Sequence, residues 1–422
     1  MNEELSAVDL FAGAGGASLG LVQAGFDLRL SVEVDPHAAQ THRQHLPGPL
    51  LDVDMQELAG RDLLGAASVG VGELDLLFAG PPCQGFSVIG PRRVSDLRNS
   101  LFREVLRATA ALRPKSVVIE NVPGLLTLGG GHYLAAILSG LHAEGYEAAC
   151  AELLAAQYGA PQMRWRLVIV AWRRDLGIEP GYGFPQPTHG SVGIGDLVPN
   201  AVIPESMYKG FLTTRDAISD LPPVRPGEIA ASYIGPPRHA YQWAARTRMD
   251  GSLMDVGELP DHYSAALGPE TLVRLQCLSP GQDWRDLPVE LLPSSMQRAL
   301  RKDHTRRYRR MTWDGVPRSV ITRFRDPKSG EYIHPEQDRT ISIREAARIQ
   351  GFPDWFAFSG PNTSKYTQVG NAVPVPLARA VAEEVGACLG QKAGRVRLVD
   401  PFRRRPTPMI GRHGELLEGL PT

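Results

Sequence analysis

The chain has 422 residues, 43% of them hydrophobic and 22% charged, long enough to bury a substantial core and form two domains of an ordinary soluble globular kind. No apolar run nears the roughly 20 residues of a membrane span, and Met1–Ala7 carries Glu3 and Glu4 rather than the basic start of a secretory signal, so a cytoplasmic location is expected. The net charge of −1 neither favours nor excludes nucleic acid, and four cysteines without a CxxC pair argue against a disulfide framework or zinc site, so no metal is expected.

Up to about Arg174, strand-like and helix-like segments alternate. Ala7–Ala12 is a predicted buried strand, followed by glycines and a helix over Ala17–Ala24. Leu30–Val34 is the next strand, and His37–His45 the next helix. Asp75–Ala79, Ser116–Ile119 and Leu167–Ala171 are further predicted strands, with helices over Ser100–Leu112 and Tyr133–Glu144 between them. Such alternation implies an α/β fold, a mostly parallel, doubly wound sheet covered on both faces. This first domain spans 1–180.

Beyond Gly181 the chain turns rich in Pro, Gly and Arg and loses periodicity, which predicts a smaller second domain of mixed, loop-rich structure over 181–340. Order returns over 341–395, with helices at Ile343–Ile349 and Val375–Leu389, and 396–422 reads as a tail. Arg298, Arg301, Lys302, Arg306, Arg307, Arg309 and Arg310 face one acid, Asp303, within thirteen residues, and Arg403–Arg405 is a second basic run. Taken alone, such a run is a solvated surface or a nucleic-acid contact.

Four constellations carry chemistry. Asp9-Leu10-Phe11-Ala12-Gly13-Ala14-Gly15-Gly16 runs a strand into a glycine turn and helix, where the backbone can approach a ligand closely. Glu33-Val34-Asp35 ends the second strand, where a carboxylate can bond ribose hydroxyls. The spacing is not GxGxxG, which disfavours a dinucleotide dehydrogenase, and a turn that merely packs strand on helix is the structural alternative. Gly80-Pro81-Pro82-Cys83-Gln84-Gly85-Phe86-Ser87 follows the strand Asp75–Ala79, so Cys83 stands at the ligand-binding edge of the sheet, a poor place for an inert core thiol. Glu120-Asn121-Val122 closes the neighbouring strand. A partly buried glutamate there can hold a proton near neutrality, though it can equally anchor a loop. In Gln162-Met163-Arg164-Trp165-Arg166, strand alternation would put Gln162, Arg164 and Arg166 on one face, suited to a base carbonyl, a phosphate or a structural carboxylate.

In this order the residues resemble the DNA (cytosine-5)-methyltransferase family. Arg344-Glu345-Ala346-Ala347-Arg348-Ile349-Gln350-Gly351-Phe352-Pro353 and Gln368-Val369-Gly370-Asn371-Ala372-Val373-Pro374 complete the set, and the matches cover about 7–172 and 306–385. The resemblance implies an S-adenosylmethionine-dependent, Rossmann-like catalytic domain, completed by the returning segment, and a target-recognition domain between. It implies Cys83 as nucleophile on cytosine C6, Glu120 at N3, Arg166 on the base carbonyl and Arg164 in support. Phe11, Gly13, Gly15, Glu33, Asp54, Pro81, Leu101 and Asn371 would hold S-adenosylmethionine and its product S-adenosylhomocysteine. Arg92, Arg93, Arg98, Arg306, Arg307 and Arg309 would contact double-stranded DNA, from which the cytosine must be flipped.

Only about six residues precede the first predicted strand, so no regulatory domain is expected there, and the chain reads as a monomeric prokaryotic modification enzyme, with a restriction endonuclease gene beside it or solitary. The branch of the family that methylates a transfer RNA carries Cys-Phe-Thr in the recognition region, a tripeptide absent here, and a non-catalytic DNA-binding relative would have lost Cys83, Glu120 or the glycine turn.

Overall fold

The structure is a computed structural model that describes residues 4–82, 101–190, 209–298 and 307–390. Two compact units emerge, the first made of 1–159, 165–210 and 373–422, the second of 160–164 and 211–372.

In the first unit, β1 (Ser6–Leu10), α1 (Gly16–Gln23), β2 (Asp27–Val32), α2 (Pro36–His45), β3 (Leu50–Leu51), α3 (Gly60–Ala67), β4 (Leu76–Ala79), α4 (Leu101–Leu112), β5 (Ser116–Asn121), α5 (His132–Ala143), β6 (Tyr146–Leu154) and β7 (Trp165–Arg173) follow in order. The sheet order is β3-β2-β1-β4-β5-β7-β6. Pairs from β3 to β5 are parallel, while β7 runs antiparallel to both β5 and β6. The reading of a mostly parallel α/β sheet holds, but β6 and α3 were not anticipated, nor was the reversal of β7. Alanines and glutamates in Tyr146–Leu154 break the alternation by which a strand is recognised.

Local chemistry explains the helices that frame the sheet. Asp35 caps α2, its carboxylate accepting from His37 N at 3.0 Å and Ala38 N at 2.8 Å, with Pro36 pre-set for the first turn. Helix α4 buries Leu101, Val105, Ala108, Thr109 and Leu112, a stripe spaced by three and four residues. The sheet residues Val8, Leu10, Leu30, Val32, Leu77, Ala79, Val117 and Ile119 meet that stripe in one core. Helix α12 (Val375–Leu389) packs against α1, and a Cβ on Gly20 would sit 2.7 Å from Ala378 Cβ and 2.9 Å from Val375 O, so this close crossing requires glycine.

The second unit carries short helices, α6 (Thr214–Ile218), α7 (Ala240–Arg246), α8 (Pro269–Gln276), α9 (Ser294–Arg298), α10 (Ile343–Ile349) and α11 (Asn362–Asn371), joined by long irregular stretches. Its apolar cluster is Leu275, Leu278, Trp284, Leu287, Leu292, Met296, Tyr308 and Ile333. Buried ion pairs organise the rest. Arg339 grips Glu345 with two bonds of 2.7 Å, and Arg348 reaches Asp220 at 2.5 Å and Asp354 at 2.6 Å. The returning segment therefore divides: the residues from 343 to 372 group with the second unit, and only those from Val373 onward with the first. Glu345 and Arg348 of α10 supply one side of these ion pairs, a partnership that periodicity does not reveal.

Candidate functional site

The glycine turn after β1 departs from ordinary backbone at three points: Phe11, Gly13 and Gly15 have φ of 60°, 57° and 101°. A Cβ built on Gly13 would meet nothing within 4 Å, so this stretch borders open space. Glu33 frames it. Its Oε2 accepts from Gly13 N at 2.7 Å and its Oε1 from Asp35 N at 2.8 Å. Burial raises its pKa against the pull of these bonds. Each carboxylate oxygen has a second lone pair, so Glu33 can accept ribose hydroxyls without leaving the turn. Asp54 caps the following turn through Gln56 N at 2.9 Å. These residues fit a nucleoside: an open turn, a carboxylate at the end of β2 and a second carboxylate beyond β3.

The glycine turn rests on a polar group that alternation would reserve for an apolar residue. Asp9 Oδ2 accepts the Ser18 hydroxyl at 2.5 Å, and Ser18 Oγ lies 2.9 Å from His42 Nε2. All three are buried. Sequence reasoning passed over them; the available signal was a carboxylate inside a strand otherwise apolar from Ala7 to Leu10.

At the neighbouring edge, the ends of β4 and β5 meet. Asn121 Nδ2 donates to Pro81 O at 3.3 Å, and a Cβ on Gly80 would lie 3.8 Å from Glu120 Oε2. The chain leaving β4 toward Cys83 thus passes beside the Glu120 carboxylate. Cys83 itself, with Arg92, Arg93, Arg98 and Arg306, lies outside the described residues, as does the tail. Glu120 is largely buried and paired with Arg166, whose Nε is 2.5 Å from Oε1. The β5–β7 register sets Glu120 opposite Val168, so Arg166, two residues away, is its diagonal neighbour on the same face.

Gln162 and Arg164 do not share that face. They precede β7 and belong to the second unit. Gln162 Nε2 donates to Ile349 O and Gln350 Oε1, and its Oε1 accepts from Val320 N. Arg164 spends its guanidinium on the carbonyls of Val320, Gly370 and Ala372 and on Ser319 Oγ. Its bonds are those of a brace, corrected from the strand-face reading because the strand begins only at Trp165. Asn371 ends α11 with its side chain exposed, and Leu101 opens α4.

The basic stretch is heterogeneous. Arg310 is buried, bonded to the carbonyls of Leu275, Leu278, His334 and Gln337 and to Asp338. Arg309 pairs with Glu331 at 3.2 Å and Asp283 at 3.6 Å. Sequence composition could not show that acids distant in the chain would be folded against these arginines. Among the described residues, no group of His, Cys, Asp and Glu is arranged to hold a metal ion, and no helix is long and apolar enough to cross a membrane.

A family model described as C-5 cytosine-specific DNA methylase matches residues 5–387. The chain is 32% identical over 440 residues to the Type II methyltransferase M.AgeI of Thalassovita gelatinovora, covering 90% of this chain and 99% of that one. It is also 32% identical over 414 residues to Type II methyltransferase M.Eco47II of Escherichia coli, covering 96% and 82%. DNA (cytosine-5)-methyltransferase 1 of Gallus gallus is 31% identical over 472 residues, covering 92% of this chain and 30% of its own. Among solved structures, the S. pombe Dnmt2 methyltransferase superposes with a TM-score of 0.53 at 17% identity over 92% of this chain and 99% of that one, a likeness that shows the fold.

Proposed function

Because the chain belongs to the C-5 cytosine-specific DNA methylase family and is a DNA (cytosine-5)-methyltransferase, we propose that it methylates a cytosine turned out of double-stranded DNA through a covalent bond from Cys83. S-adenosylmethionine supplies an electrophilic methyl group when bound.

Cytosine C5 is a poor nucleophile until C6 is saturated. The Cys83 thiolate forms a bond to C6, and the electron pair of the C5=C6 double bond becomes available at C5. Glu120 holds the N3 side of the ring by a proton or hydrogen bond, which accepts the charge that develops there. Arg166, beside Glu120, holds the base carbonyl. After methyl transfer, loss of the C5 proton restores the double bond and expels the thiolate. A thiol with pKa of about 8.5 must lose its proton for the first step, so the site has to lower that value or remove the proton on attack. Outside the stack, the base costs a few kcal/mol to hold, which contacts to both edges of the ring offset.

On the cofactor side, Phe11 would stack on adenine, Glu33 would bond the ribose, and Asp54 would reach the adenine amino group. Gly13, Gly15, Pro81 and Leu101 would line the remainder, and Asn371, on the segment that Arg164 braces, is the residue of the second unit assigned to the cofactor by resemblance. Arg92, Arg93, Arg98, Arg306, Arg307 and Arg309 contact DNA phosphates, and Arg309 would have to part from Glu331 and Asp283 to do so.

The observation that carries this reading is the convergence of Glu120, Arg166 and the Gly80–Pro81 turn at adjacent strand ends. The Type II methyltransferase names of M.AgeI and M.Eco47II support a modification role; we propose that the enzyme acts as a monomer in the cytoplasm, with a restriction endonuclease partner or alone. A duplex bearing 5-fluorocytosine tests the chemistry, because fluorine at C5 blocks the final proton loss. A denaturation-stable complex should form with wild-type protein and cofactor at the site found by bisulfite sequencing, and not with Cys83→Ala. Failure to trap any complex at a methylated site would refute the covalent route.

A further inference from the structure

Asp9, Ser18 and His42 have no role in the reaction above, yet they join the three elements around the glycine turn. Asp9 aligns with Ser31 of β2 and Phe78 of β4, and its carboxylate points away from the face that buries Val8 and Leu10. Ser18 belongs to α1 and His42 to α2. A Cβ on Gly15 would run into Leu46 and come within 3.1 Å of His42 Cδ2, so the imidazole ring directly backs the turn.

Counting protons fixes the direction of the chain. The Ser18 hydroxyl has one proton, and with Asp9 ionised it goes to the carboxylate. Ser18 Oγ must then accept from His42 Nε2–H, which leaves Nδ1 bare. Nδ1 is indeed buried without a partner among the described residues, which a bare nitrogen tolerates far better than an N–H. With Asp9 protonated, the order reverses: Asp9 donates to Ser18, Ser18 to Nε2, and His42 carries an Nδ1–H with no acceptor. The two states are therefore unequal in what they cost the turn.

The groups facing this chain are few. Glu33 approaches Asp9 from the end of β2, Arg43 faces His42 from α2 itself, and Phe78, the register partner on β4, does not titrate. Burial pushes the Asp9 carboxyl up to about 7, opposed by the Ser18 hydrogen bond and assisted by Glu33. Burial, with Arg43 adding to it, pulls His42 down to about 4, so the ring stays neutral while Asp9 titrates.

We propose that Asp9, Ser18 and His42 are positioning residues for the nucleoside cofactor, the ionised chain holding the glycine turn in its binding shape and protonation of Asp9 releasing it. The inference rests on the cofactor reading above and adds that affinity is set by a residue that does not touch the ligand.

The test is calorimetric titration with S-adenosylhomocysteine between pH 6 and pH 8, which needs no DNA and no turnover. Wild-type protein should bind about tenfold more tightly at the upper end, the span expected of one group titrating midway. Asp9→Asn keeps an oxygen for Ser18 to donate to and cannot ionise. Its affinity should vary about tenfold less than wild type over the same range, which subtracts any titration of Glu33 or of the ligand's own amine. Ser18→Ala breaks the chain between Asp9 and His42, so it should bind more weakly than wild type at pH 8 and lose most of the pH dependence, and this variant carries the test should Asp9→Asn not fold. A profile parallel to wild type in Asp9→Asn or in Ser18→Ala would overturn the inference while leaving the cofactor reading intact. No binding by wild-type protein at any pH would bring down both.

Discussion

Arg166 Nε lies 2.5 Å from Glu120 Oε1, and both side chains are nearly enclosed, at 12% and 11% exposure. Removing either partner leaves the other charge poorly solvated, a loss of about 3 kcal/mol for a buried pair. Arg166→Met should accordingly lower the melting temperature, and adding Glu120→Gln should restore much of it. Turnover should not return in the double variant, because in the proposed mechanism both groups act on the base. Recovery of stability and activity together would make the pair structural alone.

Cys83→Ser should abolish methylation while S-adenosylhomocysteine affinity stays within about twofold, since oxygen is far less nucleophilic at neutral pH than a thiolate. Filter-based methyl transfer and calorimetry on the same preparation check both halves. Turnover near wild type would remove the covalent step.

Gly370 has no room for a side chain: a Cβ there would run into the backbone nitrogen of Thr322, with Ile321 C at 2.6 Å. Backbone cannot swing aside as a flexible side chain does, so Gly370→Ala should cost about 1–3 kcal/mol, as overpacking does. A melting temperature equal to wild type would mean that this contact is relaxed in solution.

Acid should destabilise the second unit. His334 is pulled down to about 3 by burial and by Arg339, and burial lowers His262 as well. A histidine whose folded pKa is depressed contributes stability above its unfolded value near 6.5, lost as pH falls toward the folded value. Glu345, held below the carboxylate range by Arg339 despite burial, adds its own loss at lower pH. Melts should therefore fall from pH 7.5 to pH 5. Asp9 acts in the opposite sense, its raised pKa favouring the folded state in acid and losing that contribution as pH rises through about 7. An unfolding transition that rises toward pH 5 would show the Asp9 contribution dominating the buried histidines.

Arg307→Ala should weaken DNA binding uniformly across sequences and reduce the slope of log affinity against log salt by about one. Arg309→Ala, which abandons Glu331 and Asp283, should chiefly lower stability. A full unit of slope lost in Arg309→Ala, with none in Arg307→Ala, would reverse the two assignments.

Adjacent residues were enough to reveal the α/β alternation and the glycine turn, and to mark Glu33, Pro81, Glu120 and Arg166 as candidates, because short-range periodicity and turn chemistry depend on neighbours in the chain. Helices α10 and α12 were readable for the same reason, down to their ends at Ile343–Ile349 and Val375–Leu389. What required the folded chain was every decision made by a distant partner. The reversal of β7 brings Arg166 onto Glu120; Asp220 and Asp354 claim Arg348; Glu331 and Asp283 claim Arg309; and Arg164 becomes a brace for Gly370 and Ala372 rather than a neighbour of Arg166. A charge carries no mark in the sequence of whether it will meet solvent, phosphate or a buried carboxylate, since that depends on which segments the fold stacks against it.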